Sequence, residues 1–186
     1  MSLEIAWETL ESADPPTRET ISYVDLRLAS RDPDARFRRC AITADFLAGF
    51  LAPGPDASSL EREELSVVMD ELLANAVKFS ADSREPVSMT VHHYGNAIRV
   101  EASNVCGEEQ AKGLVDTLRR VIDENLEDLF VNEIEANADE PETSGLGFIT
   151  LRLNFGARLG ARIRPDPETG QYRVTVAVVL DRPEAP

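Results

Sequence analysis

Glu71, Asn75 and Lys78 place a carboxylate, a carboxamide and an ammonium on one side of a single apolar helix. Glu71 and Asn75 are four residues apart, so they stack one turn above the other, and Lys78 follows three residues later. A carboxylate beside a carboxamide can hold Mg²⁺ or orient a hydroxyl, and the ammonium can balance phosphate charge. About 70 residues later comes Ser144-Gly145-Leu146-Gly147-Phe148, a glycine pair that by itself reads as a helix-entry turn.

The elements that position these groups follow from periodicity. Leu65, Val68, Leu72, Leu73 and Ala76 form the apolar stripe beside the polar trio, so the trio sits at the edge of a core. That helix runs from a cap at Ser58 or Ser59 to about Phe79. Before it, Ile21 to Leu28 reads as a strand, and Ala35 to Leu51 as a helix with Phe37, Ala41, Ile42, Ala44, Phe46 and Leu47 at amphipathic spacing. After it, Val87 to Tyr94 and Ala97 to Asn104 alternate around Gly95-Asn96, a strong hairpin signal. Glu108 to roughly Asn137 reads as one acidic helix, followed by a loop and a short helix from Phe148 to Phe155. Ala161 to Arg164 and Tyr172 to Leu180 form a closing pair around Asp166-Pro167-Glu168-Thr169-Gly170. This order predicts an α+β fold, a two-layer sandwich of a mostly antiparallel sheet with helices on one face.

A length of 186 residues suffices for one domain, here 20–181 with an N-terminal extension 1–19 and a helical, lid-like insert at 107–143. The net charge of −15 argues against nucleic acid or an anionic membrane as partner. No stretch nears the ~20 apolar residues of a membrane span, and the acidic N-terminus does not read as a signal peptide. Cys40 and Cys106 make no disulfide framework, which predicts a cytoplasmic protein. His92 and His93 are neighbours in a strand, point to opposite faces, and make no metal site.

Glu71-Leu72-Leu73-Ala74-Asn75-Ala76-Val77-Lys78 resembles the N-box of the histidine-kinase-like (GHKL) ATPases, and Ser144-Gly145-Leu146-Gly147-Phe148 resembles their second glycine box. The resemblance spans roughly Thr20 to Leu180 and implies the histidine-kinase-like (Bergerat) ATPase fold. It implies ATP in a cleft between the N-box helix and the lid. Asn75 would then be the Mg²⁺ ligand, Glu71 the catalytic group for the attacking hydroxyl, and Lys78 a phosphate neighbour. Ser144, Gly145, Leu146, Gly147 and Phe148 would surround the phosphates, with Asn104 and Thr175 near the adenine.

Glu71, and histidines confined to the hairpin, fit the anti-sigma-factor serine/threonine kinase branch better than the histidine kinases. The run from Asn104 through the insert to Gly-Leu-Gly-Phe also looks like partner-switching kinases of the SiaB type. The implied partner is a small regulator protein, phosphorylated on Ser or Thr, and a homodimer is compatible with the branch. The chain departs from the family at Asn104 and Cys106, where the first glycine box usually has Asp and Gly. That departure motivates an alternative: a degenerate fold acting as a non-enzymatic protein-binding regulator.

Overall fold

The computed structural model describes residues 20, 22–29, 33–51, 59–81, 85–94, 97–136 and 146–181. Its elements, in order, are β1 (Ser22–Leu28), α1 (Pro33–Leu51), α2 (Ser59–Lys78), β2 (Val87–His93), β3 (Ala97–Cys106), α3 (Glu108–Asp123), α4 (Leu126–Ala136), α5 (Leu146–Phe155), β4 (Arg158–Pro165) and β5 (Tyr172–Asp181). The strands form one five-stranded sheet in the order β1-β2-β3-β5-β4, every neighbouring pair antiparallel. The fold is therefore α+β. Strand alternation decides which face meets the helices. Val87, Met89 and Val91 of β2, Val100 and Ala102 of β3, and Leu159, Ala161 and Ile163 of β4 point into one core with the helices. Tyr23, Asp25 and Arg27 of β1 point the other way and are exposed.

The helix α2 is the centre of that core. Leu65, Val68, Met69, Leu72 and Leu73 are all at most 1% exposed. It packs on β2 and β3 and along α1. The buried side of α1 differs from the expected one: Cys40, Ala44, Leu47, Ala48 and Leu51 face inward, whereas Phe37, Ile42 and Phe46 are exposed. The helix carries two apolar stripes, and α2 takes the one with Ala44 and Ala48, whose small side chains allow two helices close approach.

The insert is two helices, not one. Asn125 interrupts the expected run: its side-chain oxygen accepts the Asp128 N–H at 3.0 Å, the capping bond that starts α4. Far from lying loosely over the fold, α3 buries Ala111, Val115, Leu118 and Val121 in the main core. Arg152 of α5 donates to the Val121 carbonyl at 2.5 Å, satisfying a terminal acceptor of α3. The helix α5 ends on Gly156 at φ +60°, whose N–H bonds the Arg152 carbonyl at 3.1 Å. A left-handed residue at that position favours glycine.

The β4–β5 turn is organised by Asp166, 4% exposed. Its carboxylate accepts the N–H groups of Glu168 at 3.0 Å and Thr169 at 3.3 Å, and an Arg173 guanidinium N–H at 2.6 Å. Burial pulls the carboxyl upward, but these donors outweigh it and hold it below the ordinary Asp value. A carboxyl held low in the folded state contributes stability above its unfolded value, near pH 4, and loses it as the pH falls through the folded value. Asp166→Asn therefore lowers Tm at pH 7, and its Tm falls less than that of wild type between pH 5 and pH 3. Melting curves across that range check this; parallel curves would contradict it.

Candidate functional site

Glu71 and Asn75 lie on α2, the helix that packs on β2 and β3, and Lys78 is its last residue. Asn75 donates from Nδ2 to Glu71 Oε1 at 2.6 Å, which turns the Asn75 carbonyl oxygen away as a spare acceptor and fixes the carboxylate. Both residues are half-buried. The second glycine of the Gly-Leu-Gly run meets this pair directly. A Cβ built on Gly147 would lie 1.7 Å from Glu71 Oε1 and 2.2 Å from its Cδ. No other residue type leaves the carboxylate where it is. Gly147 is the second residue of α5, so the first turn of that helix, whose N–H groups have no partner within the helix, faces the Glu71–Asn75 pair.

These groups border a cavity of about 260 Å³. Glu71, Asn75 and Gly147 form its polar side. Ala102, Asn104 and Cys106 of β3, with Val174 and Val176 of β5, form its sheet wall. Gln110, Gly113, Leu114 and Thr117 of α3 form the wall opposite, and Phe79 and Phe148 also contribute. One side carries a carboxylate beside a carboxamide and the rest is mostly apolar, a division that suits a ligand with a cation- or hydroxyl-bearing polar end and a flat organic end.

Asn104 sits in the apolar wall, 5% exposed, with no hydrogen-bond partner for Nδ2 among the described residues. An orphaned buried N–H of this kind costs on the order of 1–3 kcal/mol, so a ligand acceptor placed there would recover free energy. Burial pushes the neighbouring Cys106 thiol up to about 11. It stays protonated at neutral pH and acts as wall, not nucleophile.

The structure thus brings Glu71, Asn75, Asn104, Gly147 and Phe148 to one cavity. Five expected residues fall elsewhere or cannot be placed. Thr175 is on the opposite face of the sheet: it pairs with Ser103, and their hydroxyls hydrogen-bond at 2.5 Å. Its neighbours Val174 and Val176 line the cavity in its stead, a consequence of strand alternation. Lys78 ends α2 outside the lining, with Nζ 5.5 Å from the ring centroid of Phe79, so its charge stands at the rim. Ser144 and Gly145 lie outside the described residues. Leu146 opens α5 but does not line the cavity.

Sequence reasoning set the cleft against the insert but named no residue of the α3 wall. Its signal was present: Gln110, Gly113, Leu114 and Thr117 recur at helical spacing, offset from the buried stripe Ala111, Val115, Leu118. Nothing lies within 4 Å of where a Gly113 Cβ would be, so this glycine leaves open space rather than relieving a clash.

No protein-family profile and no curated protein matches the chain. Among solved structures, a chain of the SiaB–SiaC complex from Pseudomonas aeruginosa matches with a TM-score of 0.62 and 12% identity. The match covers 95% of this chain and 100% of that one. At such identity the likeness extends to the fold alone.

Proposed function

We propose that this chain binds Mg-ATP in the α2–β3–α3 cavity and transfers the γ-phosphate to a Ser or Thr hydroxyl of a small regulator protein in a partner-switching module. The observation that carries this reading is the seat of Gly147 against the Glu71 carboxylate, which joins two motifs about 70 residues apart around one cavity. The fold likeness to a chain of the SiaB–SiaC complex, an assembly of two proteins, supports a protein partner for this chain.

The residues present fit a magnesium nucleotide. The Asn75 carbonyl oxygen and the Glu71 carboxylate are hard oxygen donors of the kind Mg²⁺ takes. The glycine at 147 lets the first turn of α5 come up against the Glu71 carboxylate, which any side chain there would displace. The apolar wall holds the Asn104 Nδ2, without a hydrogen-bond partner among the described residues, for a base edge. In this reading Asn75 holds Mg²⁺, which when bound neutralises charge on the transferring phosphate. Glu71, fixed by the Asn75 amide, takes the proton of the substrate hydroxyl. The hydroxyl oxygen then bonds to the γ-phosphorus as the bond to the β–γ bridging oxygen breaks and ADP leaves. The first turn of α5 offers its N–H groups to the phosphates, and Lys78 adds positive charge at the rim.

The alternative, a non-enzymatic binding regulator, draws its support from Asn104 and Cys106. Thermal denaturation with and without Mg-ATP separates the two. Saturation at 100 times Kd stabilises by about 2.7 kcal/mol, which at this chain length raises Tm by about 5–10 °C. No shift at millimolar Mg-ATP would favour the regulator and overturn the kinase.

A further inference from the structure

Asn104 is the carboxamide that β3 sets into the apolar sheet wall of the cavity, while Gln110 and Thr117 contribute polar side chains from the α3 side. Asn104, Ala102 and Cys106 alternate along β3 and all face the cavity, with Asn104 opposite Val174. The adjacent walls, Ala102, Val174 and Val176, carry no polar side-chain atom that could meet the amide. Asn104 is nine-tenths buried, and its Nδ2 has no hydrogen-bond partner among the described residues. A carboxamide presents one donor and one acceptor side by side, and a half-turn about its last torsion exchanges them. No hydrogen bond to Nδ2 fixes which way round the group sits.

We propose that Asn104 reads a purine through this exchangeable pair, so that the cavity admits 6-amino and 6-oxo purine nucleotides with similar affinity. The inference rests on the nucleotide reading of the cavity given above. Adenine offers an N6–H donor beside the N1 acceptor, and guanine offers the O6 acceptor beside an N1–H donor. The two patterns are reversed copies of each other. Asn104 meets adenine with Oδ1 accepting from N6–H and Nδ2 donating to N1. Turned over, it meets guanine with Nδ2 donating to O6 and Oδ1 accepting from N1–H. Each arrangement gives two hydrogen bonds and satisfies the buried Nδ2. A carboxylate in this place would hold acceptors only and could not make either pair.

Isothermal titration of Mg-ATP and of Mg-GTP into wild type and Asn104→Leu tests this. Leu is close to Asn in size and has neither donor nor acceptor. Wild type binds the two nucleotides within about tenfold of each other, and Asn104→Leu weakens both by about tenfold or more, to a similar extent. Melting curves establish that the variant is folded, and the wild-type ratio needs no variant. A wild-type preference above tenfold for either purine overturns the inference and leaves the kinase reading standing. So does an Asn104→Leu protein that binds both as wild type does, or that loses only one. Binding of neither nucleotide to wild type overturns the proposed function, and this inference with it.

Discussion

Glu71→Ala keeps Mg-ATP affinity within a few-fold of wild type and lowers phosphoryl transfer by about 10²–10⁴, the usual contribution of a positioned general base. That range corresponds to roughly 3–5.5 kcal/mol on the transfer barrier. The separation of effects follows from geometry. Asn75 reaches Glu71 through Nδ2, so losing the carboxylate leaves the Asn75 carbonyl oxygen for the metal. The orphaned amide and the lost orientation account for a small binding cost. Rates of label transfer from the γ-phosphate to the partner protein, set against titration of Mg-ATP, read the two effects apart. Wild-type transfer by Glu71→Ala removes the carboxylate from the chemistry.

Gly147→Ala is the second large effect, and it acts on function far more than on stability. The added methyl would overlap the Glu71 carboxylate, which can respond by rotating, since it is the far end of a flexible side chain. Ala is also the better helix former by up to about 1 kcal/mol, so Tm changes little. Rotation breaks the 2.6 Å bond from Asn75 and fills the space beside the α5 first turn. Transfer falls at least as far as in Glu71→Ala, and Mg-ATP binding weakens as well. The double variant Glu71→Ala with Gly147→Ala supplies the diagnostic. With the carboxylate gone the methyl has room, so the Gly147 change costs little further binding in that background, a strong non-additivity between touching residues. Full additivity would contradict the contact.

How much of this was legible in the sequence depends on which period carried it. The α2 stripe Leu65, Val68, Leu72, Leu73 and Ala76 is buried as its spacing requires, and that burial fixes the side on which Glu71 and Asn75 emerge. Strand positions were legible to within a residue or two, because alternation and turn residues agree, except that β4 begins at Arg158, three residues before the expected Ala161. Thr175 was misplaced for a reason internal to that same alternation. One step along β5 exchanges faces, and its pairing with Ser103 puts it behind the sheet. On α1 two apolar stripes compete, and only the packing partner selects Ala44 and Ala48 over Ile42 and Phe46. The break at Asn125 was hidden because its signal is a single capping side chain inside an otherwise helical, acidic run. The contact of Gly147 with Glu71 joins distant segments, and no local pattern announces it.

In the proposed kinase Asn75 anchors a magnesium nucleotide beside Glu71. Isothermal titration of Mg-ATP into wild type and Asn75→Ala tests it most directly. Micromolar binding to wild type, weakened by about tenfold or more in Asn75→Ala, is the predicted result, equivalent to about 1.4 kcal/mol or more. No binding to wild type at millimolar Mg-ATP, or equal binding by the two proteins, would contradict it.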